Sequence, residues 1–220
     1  WHRDGGFAQY VTAPAEFALP LPARLPDLDA APLLGIGSLA HRALKRCFLQ
    51  PGGRLGLFGF GGAAHLALQI ARHRKSEVFV FSKNPARQDL ARRLGAVWVG
   101  DLTSSPPAPL DHALICAPVG SLVPQALQHL KRGGTLVLAG VYMSQIPPLD
   151  FNHHLYYEKN LGSVTAATRV DAEEILELAA DIPIRLEIEV FPLVEANQAL
   201  QRLKAGRING TAVLAIQPEA

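Results

Sequence analysis

Residues 54–65 read Arg-Leu-Gly-Leu-Phe-Gly-Phe-Gly-Gly-Ala-Ala-His, a short apolar run entering a glycine-rich turn and then a helical pattern. No other stretch constrains the fold as strongly. Gly59, Gly61 and Ala64 fit the spacing G-x-G-x-x-A, the fingerprint of a dinucleotide-binding turn. The first glycine permits a sharp turn, and the second lets the backbone approach a pyrophosphate. A small third residue lets helix and strand pack closely. The helix start at Gly62 and Ala63 then offers free N–H groups and a positive dipole end to an anion. Taken alone the pattern also fits a glycine turn in some other strand–helix unit, so the rest of the chain must decide.

The segments that follow alternate in period. Leu55–Phe58 is an apolar run suited to a strand buried on both faces. Apolar residues then recur at helical spacing from Ala63 to about Arg74. Glu77–Phe81 is a second strand, and Asn84-Pro85 starts a helix that stops at Gly95. Ala96–Val99 is a third strand, and Thr103–Pro109 a Ser/Pro-rich loop. His112–Cys116 is a fourth strand and Ser121–Leu130 a helix closed by residues 131–134. Thr135–Ala139 is a fifth strand, and residues 161–164 suit a sixth, at the edge. This order implies an α/β fold with a doubly wound parallel sheet, a Rossmann arrangement, in which ligands bind beyond the carboxyl ends of the strands.

The two ends of the chain differ from this core. Residues 1–32 carry Gly5-Gly6, five prolines and β-like runs such as Phe7–Val11. Residues 183–220 read as strand, helix, strand: Ile184–Phe191, Val194–Lys204 and Thr211–Ile216. Both ends look like parts of another lobe. Asp171 suits an N-cap for a helix reaching Ala180.

The end of the second strand bears on the cofactor's phosphate. A free ribose 2′-hydroxyl usually meets an acid about 20 residues beyond the glycine turn. Here the strand ends at Ser82, and Glu77 sits at its wrong end. The Ser82 hydroxyl can donate to a 2′-phosphate, and Lys83 and Arg87 can neutralise one. NADP(H) is therefore favoured over NAD(H).

Composition excludes several classes. The formal charge of +2 comes from 21 basic and 19 acidic residues, which gives no argument for nucleic acid or an anionic membrane as partner. No apolar run reaches the length of a membrane span, and no signal peptide is evident. Two cysteines, Cys47 and Cys116, are too few for a disulfide framework and fit idle thiols in a reducing cytoplasm.

With these residues placed, the chain resembles the zinc-dependent alcohol dehydrogenases of the medium-chain dehydrogenase/reductase superfamily. Asp4–Tyr10 is similar to the family's D-G-G-[FY]-A-E-Y turn, and Ala31–Leu34 with His41–Leu44 to its A-P-L-L…Y-R-A-L segment. Gly133–Gly140 is similar to its G-G-x-[LV]-V-x-x-G strand, and residues 206–210 to its closing glycine turn. The resemblance implies a cofactor domain (46–165) and a β-rich, GroES-like catalytic lobe, represented by remnants at 1–45 and 166–220. It implies hydride transfer between a nicotinamide and an alcohol or carbonyl substrate. It also places the backbone of Ala117, Pro118 and Val119 near the nicotinamide ribose, and that of Gly140, Val141 and Tyr142 near the carboxamide. Arg169 either reaches the cofactor or flanks its helix. The family often pairs its sheets edge to edge, which makes a homodimer an expectation.

The chain departs from this pattern in two ways. It begins about a third of the way through the family's length, so the segments carrying most zinc ligands are expected to be missing. Gly35 also stands where the family has a ligating Cys, and Thr211 where it often has an Arg. Among eight histidines no pair has metal-ligand spacing; adjacent His153 and His154 point apart, His2 and His41 are isolated, and each is expected to be at the surface or satisfied. Zinc is therefore expected for the family but not for this chain, and no catalytic residue is assigned. Three functions remain open: the cofactor-binding portion of an NADP(H)-dependent alcohol dehydrogenase, a dinucleotide-binding module without turnover, and a zinc-independent reductase of the quinone-reductase type. A methyltransferase is a distant fourth, since Ser82 is no carboxylate.

Overall fold

In the computed structural model, which describes residues 5–216, six strands form one parallel sheet. They are β1 (Arg54–Phe58), β2 (Glu77–Phe81), β3 (Trp98–Gly100), β4 (Leu110–Ile115), β5 (Leu130–Leu138) and β6 (Asn160–Ser163), in the order β3-β2-β1-β4-β5-β6. Eight helices accompany them among the described residues: α1 (Asp27–Pro32), α2 (Ser38–Arg46), α3 (Gly62–His73), α4 (Pro85–Arg93), α5 (Leu122–His129), α6 (Phe151–His154), α7 (Arg169–Asp181) and α8 (Ala196–Lys204). A π turn, Leu33–Gly37, joins α1 to α2. The strand order reverses between β1 and β4, so a crevice opens beyond the carboxyl ends of those two strands. No helix among the described residues is long and apolar enough to cross a membrane.

Side-chain alternation along the strands builds two different cores. Leu55 and Leu57, Val78 and Val80, Leu114 and Val137 share an aliphatic core with α2, α3 and Ile175 of α7. The intervening Phe58, Phe79, Phe81, Ala113, Ile115 and Leu136 share the opposite core with α5. Here Phe58 and Phe81 stack with ring centroids 4.1 Å apart, and Trp98 lies 5.0 Å from Phe81. Each such buried aromatic contributes roughly 1.5–3 kcal/mol of transfer free energy.

The two ends meet in a second unit. β7 (Ile188–Pro192) and β8 (Thr211–Ala215) pair in parallel across α8, and α1 packs on β8. Gly6, Phe7 and Pro32 line an apolar cavity of about 380 Å³ together with Leu200, Leu203 and Val213.

Three local expectations are corrected. Phe7–Val11 forms no strand, because no partner strand lies beside it among the described residues. Residues 131–134 do not close a helix; they belong to β5, held by the Leu110–Leu130 register and a Lys131–Asp111 ion pair. Asp171 is not the N-cap of α7. Thr168 is, and Asp171 is the third residue of a capping box. His2 and Asp4 lie outside the described residues.

Asp171 is also the centre of the polar seam between α2 and α7. Its Oδ2 accepts from Thr168 N at 2.9 Å, Thr168 Oγ1 at 2.6 Å and Arg42 Nη1 at 2.7 Å, and Lys45 Nζ lies 3.1 Å from Oδ1. Burial raises the carboxyl's pKa, but these hydrogen bonds and cations outweigh it and hold Asp171 well below the usual carboxylate range. Asp171→Asn should therefore cost about 2–3 kcal/mol near neutral pH. The folded pKa lies below the unfolded value of about 3.9, so the unfolded chain takes up the proton first as pH falls. The stabilisation is complete above that pH and drains away below it. Unfolding midpoints of both chains at about pH 7 and about pH 3 should show the gap narrowing in acid. An equal gap at both would contradict the assignment.

Candidate functional site

The strand–turn–helix unit places Gly59 where two strands end side by side. Gly59 has φ +83°, and a Cβ there would lie 2.7 Å from Ala117 Cβ and 3.0 Å from Ala117 N. Its conformation and the close approach of β4 both require glycine. Gly61 is extended (φ −124°, ψ −160°) and a Cβ there would meet nothing within 4 Å. The space above Gly61 is thus open, facing the first turn of α3, where Gly62, Ala63 and Ala64 begin the helix. The initial N–H groups of a helix lack intrahelical partners, so this opening suits an anion. Ala64, wholly buried, lets α3 lie close to the sheet.

The corner at the end of β2 gathers Ser82, Lys83 and Arg87. Ser82 is buried, its Oγ accepts Asn84 N at 3.3 Å, and its carbonyl accepts Gln88 Nε2 at 2.6 Å. Asn84 caps α4 by accepting Arg87 N, which sets Arg87 in the first turn. Arg87 Nε is buried without a hydrogen-bond partner, and Lys83 is exposed. No carboxylate belongs to the stretch from Ser82 to Gln88.

The loops after β4 and β5 are stitched together beside this opening. Val119 N donates to Ala117 O, Ser144 N to Pro118 O and Gly120 N to Ser144 Oγ. A Cβ on Gly140 would lie 2.9 Å from Ala117 O. Beyond Gly140, Val141 and Tyr142 project outward, and Tyr142 adopts φ +56° with 83% of its surface exposed. Such a left-handed conformation is unusual for a bulky residue and marks a loop held in place by its surroundings. Because the sheet is parallel, the glycine turn, the β2 corner and both loops share one edge. Arg169 differs: its Nε donates to Glu173 at 2.7 Å, which lays the guanidinium along α7.

Two neighbours of the turn come from distant sequence. A Cβ on Gly62 would lie 2.8 Å from Ile36 Cδ1 and 3.0 Å from Thr211 Oγ1, and that hydroxyl is buried without a partner. His65, one turn into α3, is wholly buried with both ring nitrogens unpartnered, and burial lowers its pKa. The expectation that every histidine is exposed or satisfied fails here. The only sequence signal for Thr211 is its place after the closing glycine turn, and a lone histidine carries none. His153 Nδ1 meets the Asp150 carboxylate, His154 Nδ1 the Asp150 carbonyl and His154 Nε2 the Gln128 amide, and His41 Nε2 meets Glu174 at 2.8 Å.

The described residues do not by themselves make up a catalytic zinc site. Among the described residues no group of three or more His, Cys, Asp or Glu is placed to hold a metal. Gly35 is an exposed member of the π turn with open space where a side chain would be, and brings no donor atom. Burial pushes the Cys47 and Cys116 thiols up to about 12, so both stay protonated at neutral pH.

Comparison with known proteins agrees with this architecture. Residues 62–181 match the family model described as zinc-binding dehydrogenase. A probable alcohol dehydrogenase AdhA of Mycobacterium tuberculosis is 45% identical over 98% of this chain and 62% of its own length. An alcohol dehydrogenase of Geobacillus stearothermophilus is 33% identical over 98% of this chain and 66% of its own. The solved alcohol dehydrogenase of Aeropyrum pernix superposes with a TM-score of 0.85 at 26% identity, covering 96% of this chain and 65% of that one. The chain thus spans a little under two thirds of the length of these relatives. With the sheet order, the glycine turn and the family match in agreement, this chain belongs to the zinc-binding dehydrogenases, the medium-chain alcohol dehydrogenase family.

Proposed function

We propose that this chain is the cofactor-binding portion of an NADP(H)-dependent alcohol dehydrogenase or aldehyde reductase. The observation that carries this reading is the open space at Gly61 above the start of α3, flanked by a β2 corner with cations and no carboxylate. In this reading Gly61, Gly62 and Ala63 hold the pyrophosphate through backbone N–H groups. Ser82, Lys83 and Arg87 hold the ribose 2′-phosphate, the hydroxyl donating and the cations neutralising it. The loops at Ala117–Val119 and Gly140–Tyr142 then bound the nicotinamide end, and Arg169 has no assigned contact. A bound nicotinamide would give a hydride to a carbonyl compound when reduced or take one from an alcohol when oxidised, so the substrate is a small alcohol or carbonyl compound. Among the fold neighbours, an acetophenone reductase from Geotrichum candidum was solved with NAD and a Helicobacter pylori protein with NADP(H), so the fold itself does not choose.

Gly35 favours a second reading, in which this chain by itself holds no catalytic zinc and any turnover is zinc-independent. The β6 edge, with Leu161 exposed, supports the further proposal of a homodimer formed by pairing of sheets.

Fluorescence titration with NADPH and NADH tests the cofactor reading. NADPH should bind at least about tenfold more tightly, and Ser82→Asp should reverse the order by repelling the 2′-phosphate. Equal affinities, or a preference for NADH, would defeat it. Elemental analysis of the same sample should find zinc well below one atom per chain; a stoichiometric, chelator-sensitive zinc needed for activity would defeat the second reading.

A further inference from the structure

At the opposite end of α3 from the glycine turn lies a cavity of about 420 Å³ with a different character. Gln69, Arg72 and His73 of α3, Arg93 of α4, and Ile182 and Arg185 of the segment between α7 and β7 are among its lining residues. Its α3 residues run from Gln69 to His73, so the cavity lies roughly 10–17 Å along the helix from Gly62. We propose that it binds a small polyanion, a molecule with two or more phosphate or carboxylate charges, at a site separate from the cofactor edge.

Three arginines, Arg72, Arg93 and Arg185, line it, and its surroundings hold the guanidinium of the first and the backbone of the last. Arg72 Nη1 donates to Leu94 O at 3.0 Å, and its guanidinium lies against Gly95, where any Cβ would overlap it. Arg185 has both backbone groups fixed by the Gln69 side chain: its N donates to Oε1 at 2.7 Å and its O accepts from Nε2 at 2.9 Å. Among the described residues, neither the Arg185 guanidinium nor the His73 ring makes a hydrogen bond or ion pair. One carboxylate reaches the rim, Glu187, 3.3 Å from Arg93 Nη2. Cations at the carboxyl ends of α3 and α4 complement the helix dipoles, which accounts for Arg72, His73 and Arg93. It does not account for Arg185, an exposed residue of a non-helical segment that lines the same cavity. Three arginines around one cavity, with the backbone of Arg185 clamped, offer the donors that a multiply charged anion needs, and Ile182, Pro183 and Ile184 supply an apolar wall for its body. The site does not depend on the cofactor reading.

Calorimetric titration of the 220-residue chain with inorganic pyrophosphate and, separately, citrate tests this. Binding should persist in Gly61→Val, which closes the opening at the other end of α3. It should weaken at least about tenfold in Arg185→Gln, a change to an exposed side chain that spares the backbone clamp, and should fall with added salt. Binding of pyrophosphate alone assigns phosphate compounds, of citrate alone polycarboxylates; either supports the site. No binding of either anion overturns it. So does binding that Gly61→Val removes and Arg185→Gln leaves intact, because that places the anion at the glycine turn.

Discussion

Gly61→Val is expected to abolish dinucleotide binding while leaving the protein folded. A Cβ at Gly61 meets nothing within 4 Å, so the folded chain accommodates a side chain without displacing a neighbour. Its φ of −124° and ψ of −160° are extended values that valine adopts readily. The added isopropyl group fills only the space that a pyrophosphate would occupy. Affinity for either reduced cofactor should drop at least about 100-fold, equivalent to roughly 2.7 kcal/mol. The thermal midpoint should move by no more than about 2 °C, because surface changes without clashes stay within about 0.5 kcal/mol. A folded variant with undiminished affinity would mean that the turn is structural only.

Gly59→Val, two residues earlier, should do the reverse of this: it should damage the fold itself. The position has φ +83°, which a β-branched residue resists, and its Cβ would press into Ala117 at 2.7 Å. Strain and overpacking together should cost about 3–5 kcal/mol. For a chain of this size that lowers the melting temperature by roughly 10 °C or more. A variant as stable as the parent would show that the β1 and β4 ends can move apart freely. The two glycines of one motif thus separate under a single pair of measurements, affinity and stability.

Residue spacing made some elements legible to the residue. Val78–Phe81 is an apolar run fenced by Lys75-Ser76-Glu77 and Ser82-Lys83, and β2 takes in this run with Glu77 at its start. The helix after Asn84 starts at its cap and stops at Gly95, which has φ +91°. The first half of β5 was not legible, because Lys131, Arg132, Gly133 and Gly134 carry no strand pattern; pairing with β4 determines their backbone. Phe7–Val11 shows the converse, a strand-like pattern without a ladder to join. The site divides in the same way. The glycine turn and the β2 corner lie within single local stretches. Ile36 and Thr211, which crowd Gly62, reach it from opposite ends of the chain, and only the folded arrangement of both units brings them there. Likewise the spacing of Asp171 fits any first-turn acid; Arg42 and Lys45, which make it the centre of a seam, arrive from α2.

The π turn at Leu33–Gly37 fixes how insertions and deletions are tolerated. Each residue of an α-helix advances the chain by about 100° of rotation, and a π turn accommodates one residue more than the regular spiral. Within it Leu33 points into the aliphatic core, Ile36 abuts Gly62 and Gly37 lies beside Ile175, where a Cβ would be 3.5 Å from Ile175 Cγ1. Removing one residue here would restore a regular spiral and swing α1 through about a quarter turn relative to α2. Ala30 and Pro32, buried on the inner side of α1, would rotate off that side and α1 would lose its seat on β8. The extra residue therefore acts as a phase shifter between the two units, and single-residue changes of length in this segment should be far less permissible than substitutions of its exposed members, Leu34 and Gly35.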